Sequence, residues 1–145
     1  MTTIATILKH KGYQVSTVDP TDRISAVAKL LAERHIGAVL VLDTVQQMIG
    51  IVSERDIVSS LAANGSRTLE MTAGQLMTQA VHIVHPETKV AEAMRMMTEG
   101  RFRHLPVIDH DKLVGLISIG DVVKARIMDQ DAEVDSLTAY VAGSA

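Results

Sequence analysis

The 145-residue chain has no cysteine and no tryptophan, and its aromatic side chains are only Tyr13, Phe102 and Tyr140. Without cysteine, thiolate nucleophiles, iron–sulfur clusters, zinc ribbons and disulfides are excluded, which suits a reducing compartment. With a net charge of −3 and three aromatics, the chain lacks both the basic face and the stacking groups of a nucleic-acid binder. Long apolar runs are missing too. The longest, residues 38–42, falls far short of the roughly 20 residues that span a bilayer. No basic stretch precedes the first apolar residues and no small-residue cleavage site follows them, so no signal peptide is read. The expected location is cytoplasmic, with neither nucleic acid nor membrane as partner.

What is present describes a folded globule. Hydrophobic residues make up 47% and charged residues 21% of the chain. A domain of this size buries about 68–70% of its unfolded surface, enough for a core without staples.

The chain is written twice. VSTVDP at residues 15–20 recurs as VHIVHP at 81–86, so Pro20 and Pro86 stand 66 residues apart. At that offset Ile24, Val27, Ala28 and Leu31 map onto Val90, Ala93, Met94 and Met97, each set spaced as one apolar helix face. Near-continuous apolar runs follow, AVLVLD to Asp43 and HLPVID to Asp109, and read as strands buried on both faces. After a turn one residue shorter in the second copy come MIGIVS and LVGLIS, with Gly50 matched to Gly115 and Asp56 to Asp121. Helical spacing resumes after each Asp, and Asn64-Gly65 offers a stop for the first of these helices. Short leads at residues 3–8 and 72–77 also match, at an offset of 69. The unit is helix, strand, helix, strand, strand, helix, and its two copies should pack on each other.

Several single features carry two readings. Ser53-Glu54-Arg55-Asp56 and Ser118-Ile119-Gly120-Asp121 each stand where a strand gives way to a helix, as a capping box does. A carboxylate and helix N–H groups there also suit a ribose and a phosphate. His82 and His85, three apart on an expected strand, face opposite sides and make a poor metal pair. Met94 and Met97 belong to a core stripe; Met96, off it, is expected to face the paired repeat or a second subunit. Pro106 lacks a ladder donor, so an edge position is expected for it. Residues 63–71 read as a polar linker, and Val134, Leu137, Tyr140 and Val141 as an added helix after residue 129. No Ser/His/Asp arrangement for nucleophilic catalysis stands out.

The ordered set of V-x-P, HLPVID, LVGLIS and the twofold G-h-h-S-x-x-D, with h an apolar residue, resembles the cystathionine-β-synthase-like (CBS) domain. It is similar to a tandem pair covering residues 3–128, of the stand-alone bacterial type. The resemblance implies an α/β (α+β) fold of two pseudo-twofold-related repeats, each a small mixed three-stranded sheet with flanking helices. The expected divisions are residues 1–65 with the lead helix, 66–128, and a helical extension at 129–145. It further implies a regulatory, energy-sensing module without chemistry of its own, commonly a homodimer, binding AMP, ADP or ATP in clefts between repeats. NAD is a further candidate, and a regulated protein partner is unidentified. Carried onto this chain, one cleft would combine Ser53, Arg55 and Asp56 with Ile83, Phe102, Arg103, His104 and Pro106. The other would combine Ser118 and Asp121 with Thr17, Ile36, Gly37 and Ala38. The first would gather Arg55, Arg101, Arg103 and His104 as positive charge, whereas the second has little to hold charge. A constitutive dimerisation scaffold and a nucleotide-processing enzyme are the alternatives.

Overall fold

The structure, a computed structural model, describes residues 2–79 and 81–144. In chain order its elements are α1 (Ile4–Lys11), β1 (Thr17–Val18), α2 (Ile24–Arg34), β2 (Ala38–Leu42), β3 (Met48–Ser53), α3 (Glu54–Asn64), a 3-10 helix (Gly65–Glu70), α4 (Ala73–Leu76), α5 (Val90–Gly100), β4 (His104–Asp109), β5 (Lys112–Ser118) and α6 (Ile119–Ser144). Among the described residues no helix is long and apolar enough to cross a membrane.

The apolar stripes become the buried faces of α2 and α5, through Ile24, Val27 and Leu31 and through Val90, Ala93 and Met97. In the first copy these pack on a mixed three-stranded sheet, with β1 parallel to β2 and β2 antiparallel to β3. The second copy departs from that plan. Its β4 and β5 pair antiparallel, but residues 81–86 contribute only the parallel bridge of Val84 to Val107. Pro106 explains the shortening. In the first copy Leu40 N donates to Ser16 O at 3.1 Å, and Pro106, which stands in place of Leu40, has no N–H to give. Its carbonyl still accepts from Val84 N at 3.0 Å. Pro106 is therefore buried between β5 and the Val84 segment, not at an edge, and its missing donor faces the side where pairing stops.

The two compact units do not follow the order of the repeats. One is Gln14–His82; the other joins Met1–Tyr13 to Ile83–Ala145. The lead helix α1 thus packs with the second repeat rather than the first, because Ile4, Ile7 and Leu8 are buried in the core that holds Val90, Met97 and Leu105. Residues 71–77, conversely, pack with the first repeat. Glycine makes the seat in both cases: a Cβ on Gly115 would lie 2.7 Å from Leu8 Cδ2, and one on Gly50 2.5 Å from Met77 Sδ. Each lead also caps a helix start, with Val90 N donating to Thr2 O at 3.0 Å and Ile24 N to Met71 O at 2.8 Å.

The segment between the repeats is ordered, not a loose linker. After α3 stops at Gly65, where φ is 64°, the 3-10 helix buries Thr68, whose Oγ1 lies 2.7 Å from Ser60 Oγ. Met96 packs, partly buried, against the core of its own unit. The C-terminal extension is no separate helix either, because α6 runs unbroken from Ile119 to Ser144. Of the tail residues read as helically spaced, the side chain of Tyr140 lies outside the described set.

Candidate ligand-binding site

Each second strand ends at a serine that starts a helix. Ser53 Oγ accepts from Asp56 N at 3.2 Å, while Asp56 Oδ2 accepts from Ser53 N at 2.9 Å and from Ser53 Oγ at 3.0 Å. The second copy repeats the box: Ser118 Oγ accepts from Asp121 N at 3.2 Å and Asp121 Oδ2 from Ser118 N at 2.8 Å. The capping reading is therefore met in both halves. The serine hydroxyls satisfy a first-turn N–H, the carboxylates reach back to the N-cap N–H, and the carboxylates sit favourably at the helix dipole.

Strand pairing brings a second segment to each cap. Ala38 stands opposite Ser53, and Glu54 N donates to Gly37 O at 2.9 Å. Likewise His104 stands opposite Ser118, and Ile119 N donates to Arg103 O at 2.8 Å. Thr17 pairs with Leu40 on β1, with Ile36 half-buried just before β2. Phe102 packs partly buried on its unit's core, over Gly100, where any side chain would run into the ring. Ile83 is 37% exposed beside buried Val84, and Arg55 and Arg103 are exposed. Each unit thus holds together the cap of one expected cleft and the pre-strand segment of the other. Ser53 and Asp56 lie with Gly37 and Ala38, and Ser118 and Asp121 with Arg103 and His104.

Two electrostatic features differ from expectation. Lys11, at the end of α1, places Nζ 2.7 Å from Asp121 Oδ2 and 2.6 Å from Leu116 O. The Asp121 cap therefore does carry a cation. Burial alone would raise the Asp121 pKa, but hydrogen bonds from Lys11 and Ser118 outweigh it and hold the carboxyl below its ordinary value. His104 moves the other way from a phosphate-binding cation: burial first, then Lys11, lower its pKa, Asp121 pulls it part of the way back, and Arg103 adds a smaller lowering. Its neutral form is favoured, so it does not add to the arginines' charge. Sequence reasoning missed Lys11 because it lies beyond the matched leads and has no place in the repeat pattern. Beside the Lys11–Asp121 pair, a groove of about 550 Å³ runs between α1 and α6, lined by Thr6, His10, Lys124 and Met128 among others. Thr2 Oγ1 donates to Asp129 Oδ1 along the same groove.

Two repeats of helix, hairpin and helix, each ending its hairpin in the same Ser-x-x-Asp cap, define a tandem-repeat α/β module. The profile of the CBS domain matches residues 8–63 and again 73–127, and the chain belongs to that family. It is similar to a protein with CBS domains of Burkholderia ambifaria whose solved structure superposes with a TM-score of 0.83 at 43% identity, over 89% of this chain and 96% of that one. It is 34% identical to the mitochondrial CBS domain-containing protein CBSX3 of Arabidopsis thaliana, over 98% of this chain and 73% of that protein. CBSX2, solved in complex with AMP, superposes with a TM-score of 0.72 at 28% identity, over 90% of this chain and 99% of that one.

Proposed function

We propose that this chain is an adenine-ligand-binding regulatory module that carries no chemistry of its own, with AMP as the first candidate and ADP, ATP or NAD as alternatives. The supporting observation is the duplicated Ser-x-x-Asp cap, a carboxylate and helix N–H groups at the end of each hairpin. A carboxylate there can accept from both ribose cis-hydroxyls, and the N–H groups and Ser hydroxyl suit phosphate oxygens. The AMP complex of CBSX2 supports the ligand class. In this reading Asp56, Ser53 and Arg55 act with Ile83, Phe102, Arg103, His104 and Pro106, and Asp121 and Ser118 with Thr17, Ile36, Gly37 and Ala38. Contacts from both repeats would bias a pre-existing equilibrium in their packing. The working form is a homodimer that passes its occupancy to a partner protein or acts as a stand-alone sensor. The Asp56 site is the tighter, because its carboxylate does not first have to be released from a lysine.

A thermal-shift screen with AMP, ADP, ATP, NAD and S-adenosylmethionine tests the reading. A ligand at 100 times its Kd adds about 2.7 kcal/mol. Stabilisation by one adenine compound, reduced by Asp56→Ala to what the weaker Asp121 site supplies, is the expected result. No shift with any of them would sink it in favour of a ligand-free scaffold, a reading that the Lys11–Asp121 pair favours for the second site.

A further inference from the structure

The groove between α1 and α6 has a counterpart in the first repeat, and there it is closed. Thr2, Ala125 and Asp129 line one end of the groove. At the offsets of 69 and 65 they correspond to Met71, Ser60 and Asn64. In the first repeat these three meet: Ser60 Oγ donates to Met71 Sδ at 3.7 Å and accepts from Asn64 Nδ2 at 3.2 Å. The 3-10 helix completes the closure by burying Thr68 against the same hydroxyl. The second repeat has alanine where that hydroxyl stands, and α6 runs on without turning a segment back. Among the described residues the space therefore stays open, at about 550 Å³, inside the roughly 300–1,000 Å³ of small-molecule sites. All of its lining belongs to one compact unit.

Its walls are chemically divided. Ile7, Ala125 and Met128 form an apolar middle, and the methionine thioether adapts to irregular shapes. His10, Lys11 and Lys124 stand at one end, beside Asp121. Lys11 Nζ spends two of its three donors on Asp121 Oδ2 and Leu116 O, so one remains. Among the described residues, Lys124 and His10 have no hydrogen-bond or ion-pair partner. At the other end Asp129, eight residues further along α6 or about 12 Å, is engaged by Thr2. We propose that this groove is a ligand site separate from the adenine sites, for a small monocarboxylate with an apolar body. The carboxylate lies between Lys11 and Lys124, and the body runs along Ile7, Ala125 and Met128 toward Thr2. Counting histidine neutral, two ammonium groups against Asp121 leave one net positive charge, which matches a monoanion rather than a phosphate dianion. The inference does not rest on adenine binding, because the carboxylate is held while Lys11 stays paired with Asp121.

Butanoate, hexanoate and octanoate, titrated into the isotope-labelled full chain and followed by amide chemical shifts, test the proposal. Saturable shifts confined to α1 and the first half of α6 are expected. Affinity should rise about fourfold per methylene, the fold-change equivalent to about 0.8 kcal/mol. Ala125→Leu, which narrows the groove, should remove binding. Lys124→Gln, a change on an exposed side chain that leaves the fold alone, should weaken octanoate about two- to fivefold. Affinity that ignores chain length and is matched by inorganic phosphate would mean an ion on a charged surface and overturn the site. Shifts outside the two helices, or octanoate binding unchanged by Lys124→Gln, would overturn it too. Tighter binding of hexyl phosphate than of hexanoate would overturn the carboxylate head, and an undiminished gain per methylene through dodecanoate would overturn the small occupant in favour of a lipid chain.

Discussion

At the scale of single residues, Lys11 makes the two caps unequal. A ligand hydroxyl approaching Asp121 must compete with an ammonium 2.7 Å away, whereas among the described residues no lysine is paired with Asp56. The pair is partly exposed, and ion pairs of that kind are worth about 0–1 kcal/mol. Lys11→Met should therefore tighten adenine binding at the Asp121 site by up to about fivefold, read by calorimetry on an Asp56→Ala background. If Lys11 instead contacts ligand phosphate, affinity will drop. His104 gives the same region a pH dependence. Its folded pKa lies below the ordinary value of 6.5, so the unfolded chain binds the extra proton first. Stability should be flat above about pH 6.5 and fall as pH drops below it toward the folded value. Asp121, also depressed, adds its own loss only below about pH 4. Thermal midpoints measured from pH 8 to 5 check the first window, and His104→Asn should flatten it.

Secondary elements are positioned by contacts that the repeat pattern only hints at. Both leads are visible as a weak match at an offset of 69, and both conserve the apolar residue, Leu8 or Met77, that enters the space above Gly115 or Gly50. Adding a methyl at either seat overpacks it. Gly115→Ala should cost about 1–3 kcal/mol by denaturant titration. Gly50→Ala should cost less, since the Met77 thioether can swing aside where branched Leu8 cannot. The stretch between repeats is held by the buried Ser60–Thr68 hydroxyl pair. Thr68→Val, which removes one partner of the Ser60 hydroxyl but leaves Asn64 Nδ2 and Met71 Sδ in reach of it, should cost about 0.5–1.5 kcal/mol. These residues read as a linker because Gly65, Ser66, Arg67 and Thr68 carry no apolar period. Their order comes from one buried threonine, not from a stripe.

For the whole molecule, the exchange of leads means that the first thirteen residues belong to the stability of the second repeat. Ile4, Ile7 and Leu8 are 0%, 7% and 1% exposed, and burying such side chains is worth about 1.5–3 kcal/mol each. Removing residues 1–13 should therefore cost roughly 5–9 kcal/mol, comparable with the entire stability of a small domain. Hydrogen exchange should show the loss in α5, β4 and β5, while β2 and β3 keep their protection. Equal loss in both units would mean that they unfold as one.

The sequence by itself determined the duplication, the helix stripes, the buried strands and the Ser-x-x-Asp caps, because each is set by residue periodicity or by contacts within three or four positions. Tertiary structure alone decided which repeat each lead joins, how Pro106 cuts short the parallel pairing at Val84, and that Lys11 reaches Asp121. Those outcomes depend on groups far apart in sequence, the last pair 110 positions apart, meeting with a fit that no local pattern encodes.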